Sequence, residues 1–194
     1  MPGMKLENFL LQKKGAILKR WFDLLLEAYP DETVRFLKGE KNPFTNPVGH
    51  TIHQGIAGLY EGLLQGLDQD KTYTFLDNII RIRAVQDFSP SQAVAFIFLL
   101  KKVIREELES EIRESRVSAE ELLKFESKID ELALLSFDIY MECREKICDV
   151  RINETKNRLY RLLQKANLMV DYSEEEPDLQ DGSVANRHEM RISR

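Results

Sequence analysis

Apolar residues recur every three or four positions along most of the chain. From Ser91 to Glu176 the sequence contains neither glycine nor proline, and no segment shows the two-residue alternation that is typical of a strand. The pattern predicts an all-helical protein: a bundle of about six helices with an unusually long C-terminal helix. The predicted helices begin near residues 6, 31, 46, 72, 90 and 119.

Capping residues and prolines set several of these boundaries. The first helix is expected to end before Pro30, because proline cannot continue a helix. Asn46, which is followed by a proline, predicts an N-cap for the third helix. Ser89 and Gln92 are three residues apart and predict a capping box at the start of the fifth helix.

The last helix has no breaker before Pro177 and is predicted to run from residue 119 to about residue 169. At 1.5 Å per residue it would be roughly 75 Å long, about twice the diameter of a compact domain built from the preceding residues. We therefore predict a helical sensory bundle over residues 1–150, an extension of the long helix over 151–170 and a disordered acidic tail over 171–194.

The second half of the long helix carries a narrow apolar stripe that resembles a coiled-coil seam. This stripe predicts a homodimer, or docking of the helix on another protein. Asn153, Thr155 and Asn157 leave an alternative open, because these poor helix formers would allow the helix to fold back on its own domain. The predicted partner surface consists of Ile152, Leu159, Leu162, Ala166 and Met169.

Charge and composition narrow the classes of partner. The formal net charge of −5 argues against a surface that binds nucleic acid. The longest apolar run, from Ala93 to Leu100, is much shorter than the roughly 20 residues that span a bilayer, and no signal peptide precedes it. Cys143 and Cys148 are five apart on a helix and cannot bridge one another there. We therefore predict a cytoplasmic protein that is not transmembrane.

Polar side chains fall on an apolar helix face where the fourth helix approaches the fifth. At 100° per residue, Arg83, Gln86 and Asp87 lie on the face that is defined by Phe75 and Ile79. An unpaired buried guanidinium is costly, so we expect Arg83 to bond Asp87. Two interpretations are open, a structural network and a site for an anionic or polar effector. The set consists of Arg83, Gln86, Asp87, Ser89 and Gln92.

Four glycines, Gly55, Gly58, Gly62 and Gly66, share one side of the predicted third helix. Glycine costs up to about 1 kcal/mol relative to alanine inside a helix, so its repeated use needs a reason. The reason is either the close approach of another helix or a ligand cavity that these glycines line.

Two histidines, His50 and His53, begin the same helix on neighbouring turns and are weak candidates for binding a metal or haem. No carboxylate lies beside them at a ligand spacing, and surface or capping roles are the plainer interpretation. We therefore predict no cofactor. The sequence contains no Walker loop, no Gly-x-Ser-x-Gly elbow and no Cys-x-x-Cys pair, so we also predict that the protein is not an enzyme.

Residues 21 to about 108 resemble the N-terminal sensory domain of RsbRD-type stressosome proteins, the RsbT co-antagonist family. The matching segments are RWFDLLLEAYPDETVRFLK, NPFTNPVGHTIHQGIAGLYEGLL and IIRIRAVQDFSPSQAVAFIFLLKKVIREEL. The resemblance implies a bacterial signalling domain, globin-like but without haem, which dimerises and passes signals through a long helix. Because only a short tail follows that helix here, we expect no STAS, kinase or phosphatase output domain.

These observations predict a non-enzymatic sensory or regulatory module, similar to a stressosome sensor, which acts through dimerisation and contact with an unknown protein partner. Two alternatives stay open: a carrier of haem, metal or a small ligand, and an assembly factor for a larger complex.

Overall fold

A computed structural model describes residues 6–39, 42–66 and 68–166 of the chain. Within these ranges the protein has eight helices and no strand, which confirms the predicted all-helical fold. The predicted acidic tail over 171–194 and the predicted partner residue Met169 lie outside the described residues. The helices are α1 (Leu6–Gln12), α2 (Lys14–Leu26), α3 (Asp31–Gly39), α4 (Pro47–Gln65), α5 (Gln69–Val85), α6 (Pro90–Glu107), α7 (Glu109–Arg113) and α8 (Ala119–Lys165).

The predicted caps are present at α4 and α6. The Asn46 side chain accepts a hydrogen bond from the backbone N–H of Gly49 at 2.8 Å. At α6, the backbone N–H of Gln92 donates to Ser89 Oγ, and the backbone N–H of Ser89 donates to the Gln92 side chain at 3.0 Å, which completes the capping box. Each cap satisfies amides that the first helical turn leaves without a partner.

The structure divides the first predicted helix into α1 and α2 at Lys13 and adds the short helix α7. The two differences are connected. The Lys13 ammonium donates to the carbonyl of Glu107, where α6 ends, and binds the Glu111 carboxylate on α7 at 2.9 Å. The break between α1 and α2 therefore lies where one lysine fastens the N-terminal segment to the α6–α7 junction.

The core of the bundle lies between α2, α4, α5, α6 and the first half of α8. Trp21 is fully buried, stacks on Phe96 and donates its indole N–H to the Phe96 carbonyl at 2.7 Å. The buried hydroxyl of Tyr60 donates to the Leu10 carbonyl at 3.0 Å. These bonds satisfy the polar ends of two large aromatic side chains, so both rings can fill the core without an unpaired polar atom.

Helix α8 contains 47 residues, and the contacts divide it between two units, one that extends to Asn153 and one that begins at Glu154. In the first unit α8 runs antiparallel to α6, because Lys101 pairs with Asp130 and Arg105 pairs with Glu126. In the second unit the residues up to Ala166 are exposed or partly exposed. Toward the core, α8 contributes a stripe of buried side chains that includes Leu122, Phe125, Ile129, Leu132, Ile139, Tyr140 and Cys143.

Two of the four predicted glycines lie where α4 approaches α5. A Cβ atom at Gly55 would lie 2.7 Å from Ile79 Cδ1, and one at Gly58 would overlap the Phe75 ring. Side chains of α5 thus occupy the space beside both residues. Gly66 has a φ of 105° and follows the end of α4, a conformation that disfavours any residue with a side chain.

The substitution Gly55→Ala is expected to lower the free energy of unfolding by about 1–3 kcal/mol, because the added methyl group would lie too close to the Ile79 side chain. Chemical denaturation measures this loss. The matched control is Gly15→Ala, since no heavy atom lies within 4 Å of a Cβ at Gly15. This control should be neutral or stabilising by up to about 1 kcal/mol. Equal effects of the two substitutions would contradict the close approach of α4 and α5.

The hydrogen bond from Lys13 lowers the pKa of the Glu111 carboxyl to about 2. A carboxyl group whose pKa is lower in the folded state than in the unfolded state stabilises the fold above its unfolded pKa, and this stabilisation disappears as the pH falls through the folded value. Glu111→Gln should therefore cost about 1 kcal/mol at pH 7, a value appropriate to a partly solvated ion pair. The difference from wild type should shrink steadily between pH 5 and pH 2.

Urea denaturation at several pH values tests this expectation. Glu109→Gln is the matched control, because Glu109 is exposed and pairs only within α7, with Arg113. A Glu111→Gln effect that is independent of pH would show that the carboxylate charge does not stabilise the fold.

Candidate effector site around Arg83

Arg83 is the central residue of the candidate site. Its side chain is only 1% exposed, although it carries a guanidinium group. The guanidinium carbon lies 4.4 Å from the ring centre of Phe88, 5.5 Å from that of Tyr29 and 5.6 Å from that of Phe96. Three aromatic rings from different parts of the chain therefore surround one buried cation, and the attraction of a cation to aromatic faces offsets part of its desolvation.

The predicted bond between Arg83 and Asp87 is wrong. Arg83 donates from Nη2 to the Gln92 carbonyl at 3.0 Å, whereas its Nε and Nη1 atoms are buried without a hydrogen-bond partner. Asp87 has a φ of 58°, in the left-handed region, and its carboxylate pairs with Arg144 at 3.1 Å. Among the described residues, no carboxylate lies within 4 Å of the Arg83 guanidinium.

The hydroxyl group of Tyr29 is also buried, and among the described residues it has no hydrogen bond of normal geometry. It lies close enough to the Arg83 side chain for the two groups to interact with each other. Burial raises the pKa of Tyr29, an effect that the nearby charge of Arg83 opposes. Burial likewise lowers the pKa of Arg83. Arginine nevertheless stays protonated in proteins, so the site contains a full positive charge beside a neutral phenol.

The remaining predicted residues of this set form the turn between α5 and α6. Gln86 ends α5, and Asp87 follows it in the left-handed conformation. The side chains of Ser89 and Gln92 bond each other in the capping box rather than Arg83. The turn also places the Phe88 ring against the Arg83 guanidinium. The five residues thus lie together, but Arg83 reaches only the backbone of Gln92.

A cleft of about 390 Å³ opens beside this cluster. Arg83 itself does not line the cleft, because the rings of Tyr29 and Phe88 lie over its guanidinium. The lining residues are Tyr29, Pro30, Thr33, Gln86, Asp87, Phe88 and Gln92. The rings of Tyr29 and Phe88 lie 5.2 Å apart between centres. Two of the three rings that surround the guanidinium therefore also form the wall of an open cleft.

Helix α8 also binds this turn. The Tyr140 hydroxyl donates to the Phe88 carbonyl at 2.5 Å. Arg144 donates to the Ala84 carbonyl at 3.3 Å and to the Asp87 carboxylate at 3.1 Å. Three residues of this site, Tyr29, Tyr140 and Arg144, were not predicted from the sequence. A signal for Tyr140 was present, since a tyrosine within a buried helix stripe needs a partner for its hydroxyl.

The two predicted histidines are exposed at the start of α4. His50 and His53 line an open cleft of about 330 Å³, in which His53 meets the edge of the Phe22 ring. The described ranges contain no group of three or more potential metal-ligating side chains. The interpretation of these histidines as surface residues and the alternative of a metal or haem site both stay predictions.

The described members of the predicted partner surface, Ile152, Leu159, Leu162 and Ala166, are exposed. A second exposed apolar group on α8 was not predicted from the sequence. Leu134, Phe137 and Met141 are also exposed, although the first half of the helix was assigned wholly to the bundle.

Comparison with known proteins identifies the family. The profile of the RsbT co-antagonist protein rsbRD N-terminal domain matches residues 15–154. The chain belongs to this family. The match includes the Arg83 cluster, the α5–α6 turn and the segment of α8 that binds it.

One relative of this RsbRD N-terminal family member is a protein of Archaeoglobus fulgidus that is described as an uncharacterized protein. The two are 29% identical over 166 residues, which is 85% of this chain and 97% of the relative. No solved structure matches the chain, so its globin-like character stays a prediction. No described helix is both long enough and apolar enough to cross a membrane.

Tyr140→Phe is expected to lower the free energy of unfolding by about 1–3 kcal/mol, because it leaves the Phe88 carbonyl without this donor. Urea denaturation measures the effect. Tyr73→Phe is the matched control on α5, since the exposed Tyr73 hydroxyl bonds only the Glu142 side chain. The control should change stability by less than about 0.5 kcal/mol. Equal decreases in the free energy of unfolding for the two variants would show that the hydrogen bond from Tyr140 to the turn stabilises the fold no more than an exposed one.

Proposed function

We propose that this chain is a non-enzymatic regulatory module of the cytoplasm that forms a homodimer through α8. Membership of the RsbRD N-terminal family supports a regulatory role related to the stressosome. The two free cysteines are compatible with a reducing compartment. The observation that carries the proposal is a row of exposed apolar side chains on α8, on a different face from the one that packs on the bundle.

The row follows the spacing of a helix that contacts another helix. Leu134, Phe137, Met141, Cys148 and Ile152 are separated by three, four, seven and four residues, and each is exposed. At 100° per residue they fall within an arc of roughly 60°. The centre of this arc is about 120° away from the centre of the buried positions of α8. The helix therefore presents two apolar faces, and the bundle covers one of them.

Helix α6 extends the exposed row. The pair between Lys101 and Asp130 fixes the antiparallel register of α6 and α8. One helical turn from this pair, Phe98 on α6 lies level with Leu134 on α8, and both side chains are about half exposed or more. Exposed apolar side chains at the same level of two neighbouring helices are consistent with a protein contact site.

A second copy of the chain is the proposed partner for this row. In a heptad, Leu134, Met141 and Cys148 fall at the a position and Phe137 at the d position of a coiled coil, in which the same stripe of two helices interlocks. Ile152 falls at the neighbouring e position, and Arg144 and Arg151 occupy the later d positions. A twofold axis requires one surface that complements itself, and a single helix stripe fulfils that requirement. Beyond residue 153, Leu162 repeats the heptad position of Leu134, Leu159 repeats that of Ile152, and both are exposed.

The double variant Phe137→Glu with Met141→Glu tests the dimer. Both side chains are exposed, so the variant should fold with unchanged helical circular dichroism. Sedimentation velocity over a concentration series should show a dimer for wild type and a monomer for the variant, because two buried carboxylates on each subunit would face one another. Lys146→Glu, which is exposed on another side of α8, is the control and should remain a dimer.

A wild-type protein that sediments as a monomer at all concentrations would refute the dimer. Retention of the dimer by the double variant would place the contact elsewhere on the molecule. The predicted alternatives of a haem or metal carrier and of an assembly factor have no specific support from the described contacts, and they stay predictions.

A further inference from the structure

We propose that Arg83 and Tyr29 form a binding site for a small carboxylate, which enters through the cleft between the α2–α3 connection and the α5–α6 turn. The proposal concerns an input site and does not depend on dimerisation. It rests on unsatisfied buried atoms, on the charge of the site and on the cleft beside it.

The buried polar atoms without partners belong to the same two residues. In the described chain the buried side-chain atoms that lack a hydrogen-bond partner are Arg83 Nε, Arg83 Nη1 and the Tyr29 hydroxyl oxygen. Folded proteins satisfy nearly all such atoms, and an exception calls for an explanation such as a bound ion or water. Here the unsatisfied atoms occur together, in residues whose side chains are in contact.

The charge of the site favours an anion over water. The guanidinium is almost fully buried and has no carboxylate partner within 4 Å among the described residues. The nearest acidic residue in the sequence, Asp87, follows the end of α5 and lines the cleft. Its carboxylate pairs with Arg144 at 3.1 Å and Arg151 at 3.6 Å, so both of its partners are cations. A bound anion would supply the missing countercharge, and its oxygen atoms would accept from guanidinium N–H groups in charge-assisted bonds.

The surroundings of the guanidinium favour a carboxylate with a short apolar tail. A single buried cation neutralises one negative charge, so a monovalent anion fits better than a divalent phosphate. The Tyr29 hydroxyl can donate a further hydrogen bond to an oxygen of the ligand. Pro30 and the rings of Tyr29 and Phe88 line the cleft and offer an apolar surface to a tail.

The position of the site connects the ligand to α8. Phe88 lies over the guanidinium, and its carbonyl accepts the hydrogen bond from Tyr140 on α8. Asp87, the preceding residue, pairs with Arg144 on the same helix. Movement of the Phe88 ring to admit a carboxylate would therefore act on two bonds between the turn and α8.

Binding is tested by titrating the full chain with propionate and with propionamide, its neutral analogue of similar shape. Isothermal titration calorimetry and thermal denaturation provide the readouts, with sodium chloride and phosphate as further arms. Propionate should raise Tm in a saturable manner and bind at one site per chain, whereas propionamide should do neither. Equal shifts with chloride or phosphate would indicate a general salt effect and would overturn the proposal, as would the absence of propionate binding.

Arg83→Met removes the charge while keeping an unbranched side chain, and it should abolish propionate binding. Arg81→Met is the matched control, because Arg81 lies on the same helix but is exposed and pairs with Asp77. The control should bind propionate as wild type does. Undiminished binding by Arg83→Met would refute the assignment.

Tyr29→Phe provides a second test that keeps the aromatic ring in place. It removes only the hydroxyl donor, and it should weaken propionate binding about fivefold, as expected for the loss of one hydrogen bond. Unchanged affinity in this variant would exclude Tyr29 as a ligand-binding residue and would contradict the two-residue site.

Discussion

The burial of one guanidinium, which has no carboxylate partner within the described part of the chain, constrains the centre of this bundle. Desolvating a cation is costly, and here three aromatic faces and a single carbonyl oxygen compensate. The three rings come from the end of the first helical segment, from the α5–α6 turn and from α6 itself. Each of these elements must therefore hold its position relative to Arg83, because each contributes a ring that packs on the same guanidinium.

The α5–α6 turn meets this constraint through an unusual backbone. Asp87 adopts a left-handed conformation that residues other than glycine seldom adopt, and its cost must be balanced by nearby contacts. The balance comes from the capping box at Ser89 and from Arg144, which holds the Asp87 carboxylate. The same turn directs Phe88 back over Arg83. A strained turn, a buried cation and α8 are thus parts of one arrangement.

Local sequence signals predicted the helices, and they also predicted that Arg83 lies on an otherwise apolar helix face. Periodicity and capping depend on residues within one or two turns of each other, and α4 and α6 begin where these signals place them. The partner of Arg83 was predicted wrongly because the left-handed conformation of Asp87 has no glycine to mark it. The hydroxyl of Tyr140 meets a carbonyl 52 positions away, and no local pattern encodes such a contact.

The two apolar faces of α8 explain why its first half was assigned to the bundle alone. Apolar residues on both faces, read together along the sequence, resemble one broad stripe, and only the packing separates them. The buried face carries Tyr140, which bonds the turn at Arg83, and Met141 is its neighbour on the exposed face. A helix is rigid over such a distance, so a displacement at the turn changes the position of the exposed row directly. The proposed carboxylate site and the proposed dimer surface are then adjacent on one helix.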